Sequence, residues 1–392
     1  MKILITTGSW SASLVVMESL AKQGHDIYLL DHDIYSAGFH SRYCKGGILC
    51  IEEINGDEYA DSVAGIVKSG RFDLLIPMSD FSTEHLSVHR EHIVPYVKML
   101  LPSKELIQVA RLKDKTYRFA LEKDIEIPRT YFPKSLKDVK RCVQKAAFPC
   151  VVKKARGTAN KGNTYFYDQR SLLRHYERLN AENEWPVIQE FVYGEFYGFL
   201  GVAQEGELLD CIMFKTDQKY TLQGTAPYCV SIMDEGFLKT AQRIIKLLNW
   251  TGAINMDFLR DRKGVIRLLE INPRLSGSAG FAYNLGVDLP AVYVDLARGR
   301  IVKKFKSINY KPGIVFRSVL SSELMMALND KKYAMNLFTN FLNLTMRTDI
   351  PWDDPNLLAW KLRHVWWYWR DANHVKPRRN IIRPAMTQAA AI

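Results

Sequence analysis

Apolar and polar positions at the start of the chain follow the pattern of a parallel α/β sheet. The apolar segment KILI is followed by small residues, a helical pattern runs over about 11–23, and a second apolar segment, DIYLLD, ends at Asp31. Strand, tight turn, helix and strand make up a βαβ unit. Because Gly8 stands without the rest of a G-x-G-x-x-G fingerprint, we interpret this region as a Rossmann-like structural domain.

The pattern changes after about residue 101. A Lys-rich helical segment comes first, and later apolar segments are paired across tight turns, as GAINMDFLR and VIRLLEIN are across Lys263-Gly264. Helices that alternate with antiparallel hairpins favour α+β modules over a continuation of the parallel sheet. The pattern therefore predicts an α/β domain followed by an α+β domain.

A third pattern, towards the end of the chain, is that of an amphipathic helix. Asp354 is a good N-cap residue and Pro355 a good first helical residue. The predicted apolar face comprises Leu358, Leu362, Val365, Trp366 and Trp369, with Lys361, Arg363 and Arg370 outside it. We expect this face to dock on the rest of the protein or on a second subunit, and contact with an anionic membrane surface is the alternative.

Composition and charge add bounds on partners and location. The 392 residues are 47% hydrophobic with a net charge of +12, and from residue 301 onwards 15 lysines and arginines stand against 6 acidic residues. This excess indicates an acidic partner or substrate, or a basic solvated surface, and we expect no nucleic-acid partner. We expect a cytoplasmic protein without a membrane span. The sequence has six cysteines without a C-x-x-C pair, no secretory pattern and no apolar run of ~18 residues.

The strongest chemical signal is the hairpin over 255–274. Alternate residues of a strand share a face, so Glu270 and Asn272 point the same way, and Asp257 can face them from the neighbouring strand. Hard oxygen ligands that leave room for phosphate oxygens suit Mg²⁺, with Mn²⁺ as an alternative. Because these residues stand among apolar ones, we favour a metal site over a surface hairpin with satisfied polar groups.

Two lysines are candidates for binding the phosphates of a nucleotide. Lys153 ends the apolar run PCVVK, where a buried ammonium needs an anionic partner, and Lys154 alternates to the other face. Lys115 lies on the preceding helix, with Lys113 as a solvated alternative. The loop after Lys153 adds cationic and glycine residues that suit a phosphate, namely Arg156, Gly157, Lys161 and Gly162.

The segment QEFVYGE offers a place for a base and a sugar. Extended backbone at Glu190, Phe191 and Val192 can present one carbonyl oxygen and one N–H to an adenine edge. Glu195 can accept a hydrogen bond from a ribose hydroxyl. In isolation the segment is only a strand and a turn.

Taken in order, these segments resemble the ATP-grasp superfamily, of the carboxylate–amine ligase type and with similarity to the ATP-grasp domain of carbamoyl-phosphate synthase. The matching elements are a Rossmann-like pre-domain, a D-K helix (Asp114-Lys115), an F-P-x-V-x-K strand ending at Lys153, a glycine-rich lid, a Q-E-F/Y-V-x-G-E hinge and a closing D/E…E-I-N-P-R hairpin. They cover roughly residues 1–300, and E-I-N-P-R is the most specific of them. Lys154 and Tyr193 differ from the residues frequent at their positions, and neither departure touches the chemistry.

The resemblance implies a fold in three parts. A Rossmann-like pre-ATP-grasp domain is expected over 1–105, and a two-lobed ATP-grasp domain over 106–300, with its small lobe at about 125–190 and its large lobe at about 191–300. A basic, Trp-rich C-terminal helical accessory segment is expected over 301–392.

The resemblance also implies an ADP-forming ligase that uses ATP and Mg²⁺. A small-molecule carboxylate would be phosphorylated to an acyl phosphate and then coupled to an amine. Lys115 and Lys153 would bind the ATP phosphates, and Arg274 would meet the γ-phosphate or the acyl phosphate. The metal ligands would be Asp257, Glu270 and Asn272, the catalytic residues Arg274, Lys153 and Arg156, and the candidates for the substrate wall Ser276, Gly277 and Ser278.

Other functions stay open at this point. A carboxylase or a carbamoyl-phosphate-type enzyme would use the same site on bicarbonate or carbamate, although the sequence contains neither a biotinyl-carrier segment nor a second ATP-grasp copy. A non-catalytic ATP-binding module would not need the intact set of acidic residues and Arg274. The sequence identifies neither substrate, and a homodimer is an open alternative for the oligomeric state.

Overall fold

The first strand of the chain is buried on both faces, which explains its continuously apolar sequence. The computed structural model describes residues 1–155, 163–216, 228–300, 304–324, 327, 335 and 346–372. Ile3 and Ile5 pack in one hydrophobic cluster, and Leu4 packs in another on the opposite face. The parallel strands, in spatial order β3-β2-β1-β4-β5, are β1 (Lys2–Ile5), β2 (Asp26–Asp31), β3 (Cys44–Leu49), β4 (Leu74–Ile76) and β5 (Lys98–Met99).

Helices cover both faces of this sheet, which confirms the predicted Rossmann-like domain. They are α1 (Ser11–Lys22), α2 (Gly56–Gly70), α3 (Asp80–Val88) and α4 (Arg90–Ile93), with a 3₁₀ turn at Ala37–His40. Residues of α1 share the cluster of Ile3, and Tyr59 and Val63 of α2 share the cluster of Leu4.

Next comes a four-stranded antiparallel sheet with two helices against it. Its strands, in spatial order β6-β9-β7-β8, are β6 (Thr130–Tyr131), β7 (Cys150–Lys153), β8 (Asn163–Phe166) and β9 (Val187–Glu190). Two helices, α5 (Lys104–Arg111) and α6 (Lys113–Glu122), precede it, and α7 (Leu136–Lys145) and α8 (Gln169–Ala181) lie between its strands. Val139, Leu172 and Tyr176 of these later helices pack on Cys150 and Ile188 of the sheet.

A seven-stranded sheet forms the largest layer. Its strands, in spatial order β14-β13-β10-β11-β12-β15-β16, are β10 (Gly194–Gln204), β11 (Glu207–Thr216), β12 (Tyr228–Ser231), β13 (Gly252–Asp261), β14 (Ile266–Asn272), β15 (Val315–Arg317) and β16 (Arg347–Thr348). Its helices are α9 (Glu235–Leu247), α10 (Ala279–Asn284) and α11 (Leu289–Ala297), and a π-helical turn follows at Val319–Glu323. Two strands from beyond residue 300 therefore extend this sheet.

The parallel domain packs directly on the large sheet. Met17 of α1, Leu200 of β10 and Leu289 of α11 belong to one buried cluster. The Ser19 hydroxyl donates to Asp288 Oδ1 at 2.6 Å across the same boundary. This packing brings the carboxyl ends of β1 and β4 towards the segment that follows β14.

The last described helix, α12 (Pro355–Ala372), begins where the sequence predicts. The Leu357 N–H donates to Asp354 Oδ1 at 3.1 Å, which confirms Asp354 as the N-cap, and the same carboxylate accepts from Ser41 Oγ. Leu357 is buried, and the Trp360 ring stacks on His40 with ring centroids 6.0 Å apart. Helix α12 therefore packs on the rest of the protein through Leu357 and Trp360.

The predicted docking face of α12 is wrong. Leu362 and Trp366 were expected to pack, yet their exposed fractions are 49% and 52%. Contacts of Asp354 and Trp360 with residues 40–42 fix the rotation of the helix about its axis, and this rotation turns Leu362 and Trp366 outwards. Leu358 and Val365 are half-buried, and the side chain of Trp369 lies outside the described part of the protein. No helix in the described ranges is long and apolar enough to cross a membrane.

Candidate active site

Two adjacent strands bring the predicted metal ligands together. In the β13–β14 ladder, Asp257 lies opposite Glu270 and Asn255 lies opposite Asn272, and an irregularity of the ladder follows Asp257 directly. Residues 255 and 257 share a face with 270 and 272 because side chains alternate along each strand. The register confirms the predicted geometry and adds Asn255 to the same surface.

The electrostatics of this surface fit a divalent cation. Burial and the neighbouring Glu270 raise the pKa of Asp257 to about 7. Two neighbouring carboxylates that are partly shielded from water repel each other, so a cation between them favours the state in which both are charged. Asp257, Glu270 and Asn272 offer the oxygen donors that Mg²⁺ prefers and leave positions for phosphate oxygens. In the part of the chain that the structure describes, no cluster of three His, Cys, Asp or Glu residues forms an alternative metal site.

Lys153 lies on the inner face of β7, as the alternation predicts. Its exposed fraction is 8%, and its ammonium donates to Tyr117 Oη at 3.1 Å. Burial lowers the pKa of Lys153 to about 8, although the charge of Glu270 opposes the effect. Lys154 points outwards and forms a 2.7 Å ion pair with Glu184. The assignment of the two lysines to opposite faces is confirmed.

Helix α6 begins with a lysine whose burial the sequence did not predict. Lys113 was interpreted as solvated, yet its exposed fraction is 7% and its ammonium lies 3.5 Å from Glu270 Oε1. The backbone N–H of Lys113 donates to Ala155 O at 3.1 Å, so the start of α6 is fixed against the end of β7. Lys115 is half-buried, and its ammonium donates to Gln108 Oε1 at 2.5 Å. The predicted role of Lys115 stays a prediction.

The hinge segment lies at the end of β9. The N–H groups of Glu190 and Phe191 are already used, since they donate to Arg129 O at 2.9 Å and Pro149 O at 3.0 Å. Val192 N–H has no hydrogen-bond partner among the described residues, so it is the N–H of the three that can serve a base. The Glu190 carboxylate accepts from Tyr131 Oη at 2.9 Å and from Ala147 N at 3.1 Å.

Two further groups of predicted site residues have different outcomes. Glu195 is exposed at the start of β10, where it accepts from Lys215 Nζ at 3.1 Å. Its predicted contact with a ribose stays a prediction. The four loop residues that were predicted to bind phosphate lie outside the described residues, and they are Arg156, Gly157, Lys161 and Gly162.

Arg274 connects the hairpin to the parallel domain. Its Nε donates to Asp80 Oδ1 at 2.6 Å, and its guanidinium lies 5.4 Å from the centre of the Trp10 ring. Asp80 also forms a 3.2 Å ion pair with Arg111, which is buried like Asp80. Although burial opposes the effect, Arg274, Arg111 and Lys113 lower the pKa of Asp80.

The wall beyond Arg274 consists of hydroxyl groups. Ser276 Oγ donates to Asn255 Oδ1 at 2.8 Å and lies 2.6 Å from Ser278 Oγ. The sequence interpretation named these serines and missed Asn255 and Asp80. Asp80 begins α3, and three residues separate it from the end of β4. The carboxyl end of a strand beside the point where the strand order reverses is a usual place for functional residues, so this signal was available.

Comparisons with known proteins agree with this geometry. A family model described as ATP-grasp in the biosynthetic pathway with Ter operon matches residues 215–319. Pyruvate carboxylase of Aspergillus niger is 22% identical over 310 residues, which are 74% of this chain and 25% of that protein. The formate-dependent phosphoribosylglycinamide formyltransferase of Bacteroides fragilis is 23% identical over 290 residues, which are 70% of this chain and 71% of that protein. The chain thus spans about a quarter of the length of pyruvate carboxylase.

Solved structures show the same architecture. The biotin carboxylase domain of Hydrogenobacter thermophilus 2-oxoglutarate carboxylase, in complex with MgADP, ADP and bicarbonate, has a TM-score of 0.67 at 15% identity, over 80% of this chain and 73% of that chain. N5-carboxyaminoimidazole synthetase from Staphylococcus aureus has a TM-score of 0.63 at 14% identity, over 86% and 85%. The L-amino acid ligase from Bacillus licheniformis has a TM-score of 0.60 at 13% identity, over 80% and 78%. The chain therefore has the ATP-grasp fold, and its resemblance to the ATP-grasp superfamily is confirmed.

Proposed function

We propose that this protein is an ATP- and Mg²⁺-dependent ligase that phosphorylates a carboxylate and couples it to an amine, with release of ADP and phosphate. The observation that carries the proposal is the half-buried Asp257–Glu270 pair. The buried Lys113 ammonium lies 3.5 Å from Glu270 Oε1, and the same strand leads into Arg274. Such a site binds a metal–triphosphate and places a cation beside it for an anionic substrate.

Different residues of the site bind the metal, the nucleotide and the substrate during phosphoryl transfer. Asp257, Glu270 and Asn272 would hold Mg²⁺, which neutralises phosphate oxygens when bound. Lys153 and Lys115 bind the ATP phosphates, and Val192 N–H binds the adenine edge. Arg274 orients the substrate carboxylate and stabilises the oxyanion that forms when the amine attacks. The reaction depends mainly on positioning and electrostatic stabilisation.

The segment after Arg274 favours a carboxylate over bicarbonate as the phosphoryl acceptor. Carboxylation through bicarbonate calls for a base that removes the bicarbonate proton, whereas a carboxylate is already deprotonated. Residues 275–287 contain neither aspartate nor glutamate. Asp80, which contacts Arg274, is a poor base because two arginines bind it and its pKa is lowered.

Carboxylation is nevertheless the second candidate, because pyruvate carboxylase is among the relatives and bicarbonate is bound in one similar structure. An ADP-release screen with ATP and Mg²⁺ over amino acids and other small carboxylates, each with and without an amine, separates the two. ADP formation that needs both a carboxylate and an amine supports the ligase. Turnover with bicarbonate alone favours carboxylation, and nucleotide binding without turnover on any acceptor contradicts both.

The exposed face of α12 supports a proposal about partners beyond small molecules. Leu362 and Trp366 are exposed beside Arg363, and the Arg370 guanidinium lies 5.3 Å from the centre of the Trp366 ring. Tryptophan, leucine and arginine on one face suit an anionic membrane surface. A second copy of the chain is the competing partner for this face.

A further inference from the structure

Lys113 is a buried lysine that none of the matched motifs includes. It is the first residue of α6, and its backbone N–H donates to Ala155 O at 3.1 Å, two residues after the end of β7. Tyr117, one turn further along α6, donates to Leu269 O at 2.9 Å and accepts from Lys153 Nζ. The start of α6 is thus fixed between β7 and β14, the two strands that carry the phosphate and metal residues.

The Lys113 ammonium has N–H donors that its contact with Glu270 does not use. Its contact with Glu270 Oε1 is 3.5 Å, whereas an N⁺–H···O⁻ hydrogen bond measures about 2.7–2.9 Å. Within the described part of the chain, no shorter hydrogen bond of this ammonium is present. An ammonium has three donors, and a lysine that is 7% exposed is costly to bury unless an anion uses them.

The Lys113 ammonium lies among the charged groups of the site, 3.5 Å from Glu270 Oε1. The Lys153 ammonium donates to Tyr117 Oη on the side of β7. Asp80, in the parallel domain, forms ion pairs with Arg274 and Arg111. Lys113 influences both Asp80 and the carboxylate pair electrostatically. The charge of Lys113 therefore acts both on the carboxylates proposed to bind the metal and on the carboxylate that binds Arg274.

We propose that Lys113 is a third phosphate-binding lysine, whose ammonium contacts the phosphoryl group while it passes from ATP to the substrate carboxylate. This inference rests on the proposed function. In the step, a carboxylate oxygen forms a bond to the γ-phosphorus, the bond from this phosphorus to the bridging oxygen breaks, and ADP leaves with the electron pair. Lys113 keeps its proton and donates hydrogen bonds to the γ-phosphoryl oxygens.

The inference predicts a selective effect on nucleotides that carry a γ-phosphate. With saturating Mg²⁺, titration calorimetry of Lys113→Met should show a Kd for β,γ-imido-ATP that is raised about tenfold to a hundredfold, as expected for a lost charge-assisted hydrogen bond. The Kd for ADP should change by less than about threefold. Lys113→Arg, which keeps the charge, should stay close to the original protein with both nucleotides.

Lys154→Met is the matched control, because Lys154 is exposed and pairs with Glu184 away from the site. It should leave both Kd values unchanged. A role of Lys113 limited to neutralising Glu270 predicts a different result, namely tighter Mn²⁺ binding by electron paramagnetic resonance with an unchanged ratio of the two Kd values. That result, or an equal weakening of both nucleotides in a folded Lys113→Met protein, overturns the inference.

The two proposals fail in distinguishable ways. If the unaltered protein binds neither nucleotide, the proposed function fails and the inference fails with it. If it binds both and Lys113→Met leaves their ratio unchanged, the inference alone fails. If Lys113→Met does not fold, as judged by circular dichroism, Lys113→Gln and the Arg variant carry the test, and loss of the γ-phosphate preference in Gln but not in Arg is the supporting outcome.

Discussion

At the scale of single residues, Glu270 is the most informative position. Glu270 lies opposite Asp257 on the neighbouring strand, and Glu270→Gln removes one of these two charges at nearly constant volume. We expect turnover of ATP to fall by a factor of about a hundred or more, because the metal loses an anionic ligand. Loss of the Glu270 charge also removes one cause of the raised pKa of Asp257.

The measurement is coupled-assay ADP release together with circular dichroism to establish folding. Glu184→Gln is the control, since this carboxylate pairs with the exposed Lys154. ADP release by a folded Glu270→Gln protein at close to the original rate would remove Glu270 from the metal site.

Lys153 and Lys154 are adjacent and should behave differently. Lys153→Ala removes a buried cation that faces the site, while Lys154→Ala removes an exposed one, so calorimetry should show that ATP binding is weakened at least about tenfold only in the first. Because the pKa of Lys153 is lowered to about 8, its charge is lost as the pH rises through that value. The affinity for ATP should therefore decline between pH 7 and pH 9. Equal effects of Lys153→Ala and Lys154→Ala on ATP binding would contradict the assignment of Lys153 to the site.

At the scale of elements, the sequence predicted what depends on local periodicity. Strand alternation separated Lys153 from Lys154 and placed Asp257 with Glu270, because the side-chain period of a strand is fixed. It did not predict the contact of Arg274 with Asp80, which joins residues 194 positions apart through the packing of two domains. It also chose the wrong face of α12, because that face is set by contacts with residues 40–42 rather than by the density of apolar residues in the helix.

Asp354 determines how α12 is attached, and its loss should be measurable as stability. Asp354→Ala removes the N-cap bond to Leu357 and the acceptor of Ser41 Oγ, which together should cost about 2 kcal/mol. Asp353→Ala removes a carboxylate that is partly exposed and pairs with Lys22 at 2.7 Å, so a smaller effect is expected. Thermal unfolding of both variants checks the order, and a larger loss for Asp353→Ala would contradict it.

At the scale of the whole molecule, the residues beyond 300 complete the large sheet. β15 pairs with β12, and the buried Arg317 forms a 2.7 Å ion pair with Glu323, which also binds Tyr228. Removing residues 301–392 would expose the edge of β12 and the cluster around Leu357. We expect a 1–300 fragment to aggregate and a 1–372 chain to stay in solution, as measured by size-exclusion chromatography. A soluble and fully active 1–300 fragment would refute this view of the C-terminal segment.

The exposed face of α12 gives the final test at this scale. Leu362, Trp366 and Arg370 lie on the side of the helix that faces away from the Leu357 anchor, within a segment where basic residues outnumber acidic ones. We expect the full chain to sediment with vesicles that contain anionic phospholipid and not with neutral vesicles. Binding should weaken steeply with salt, because basic residues supply part of the attraction.

Leu362→Ser combined with Trp366→Ser should reduce binding strongly, whereas Leu49→Ser, at an exposed leucine of β3, should not. Loss of a dimer in analytical ultracentrifugation of the double variant, without any vesicle binding by the original chain, would show instead that this face joins two copies of the protein.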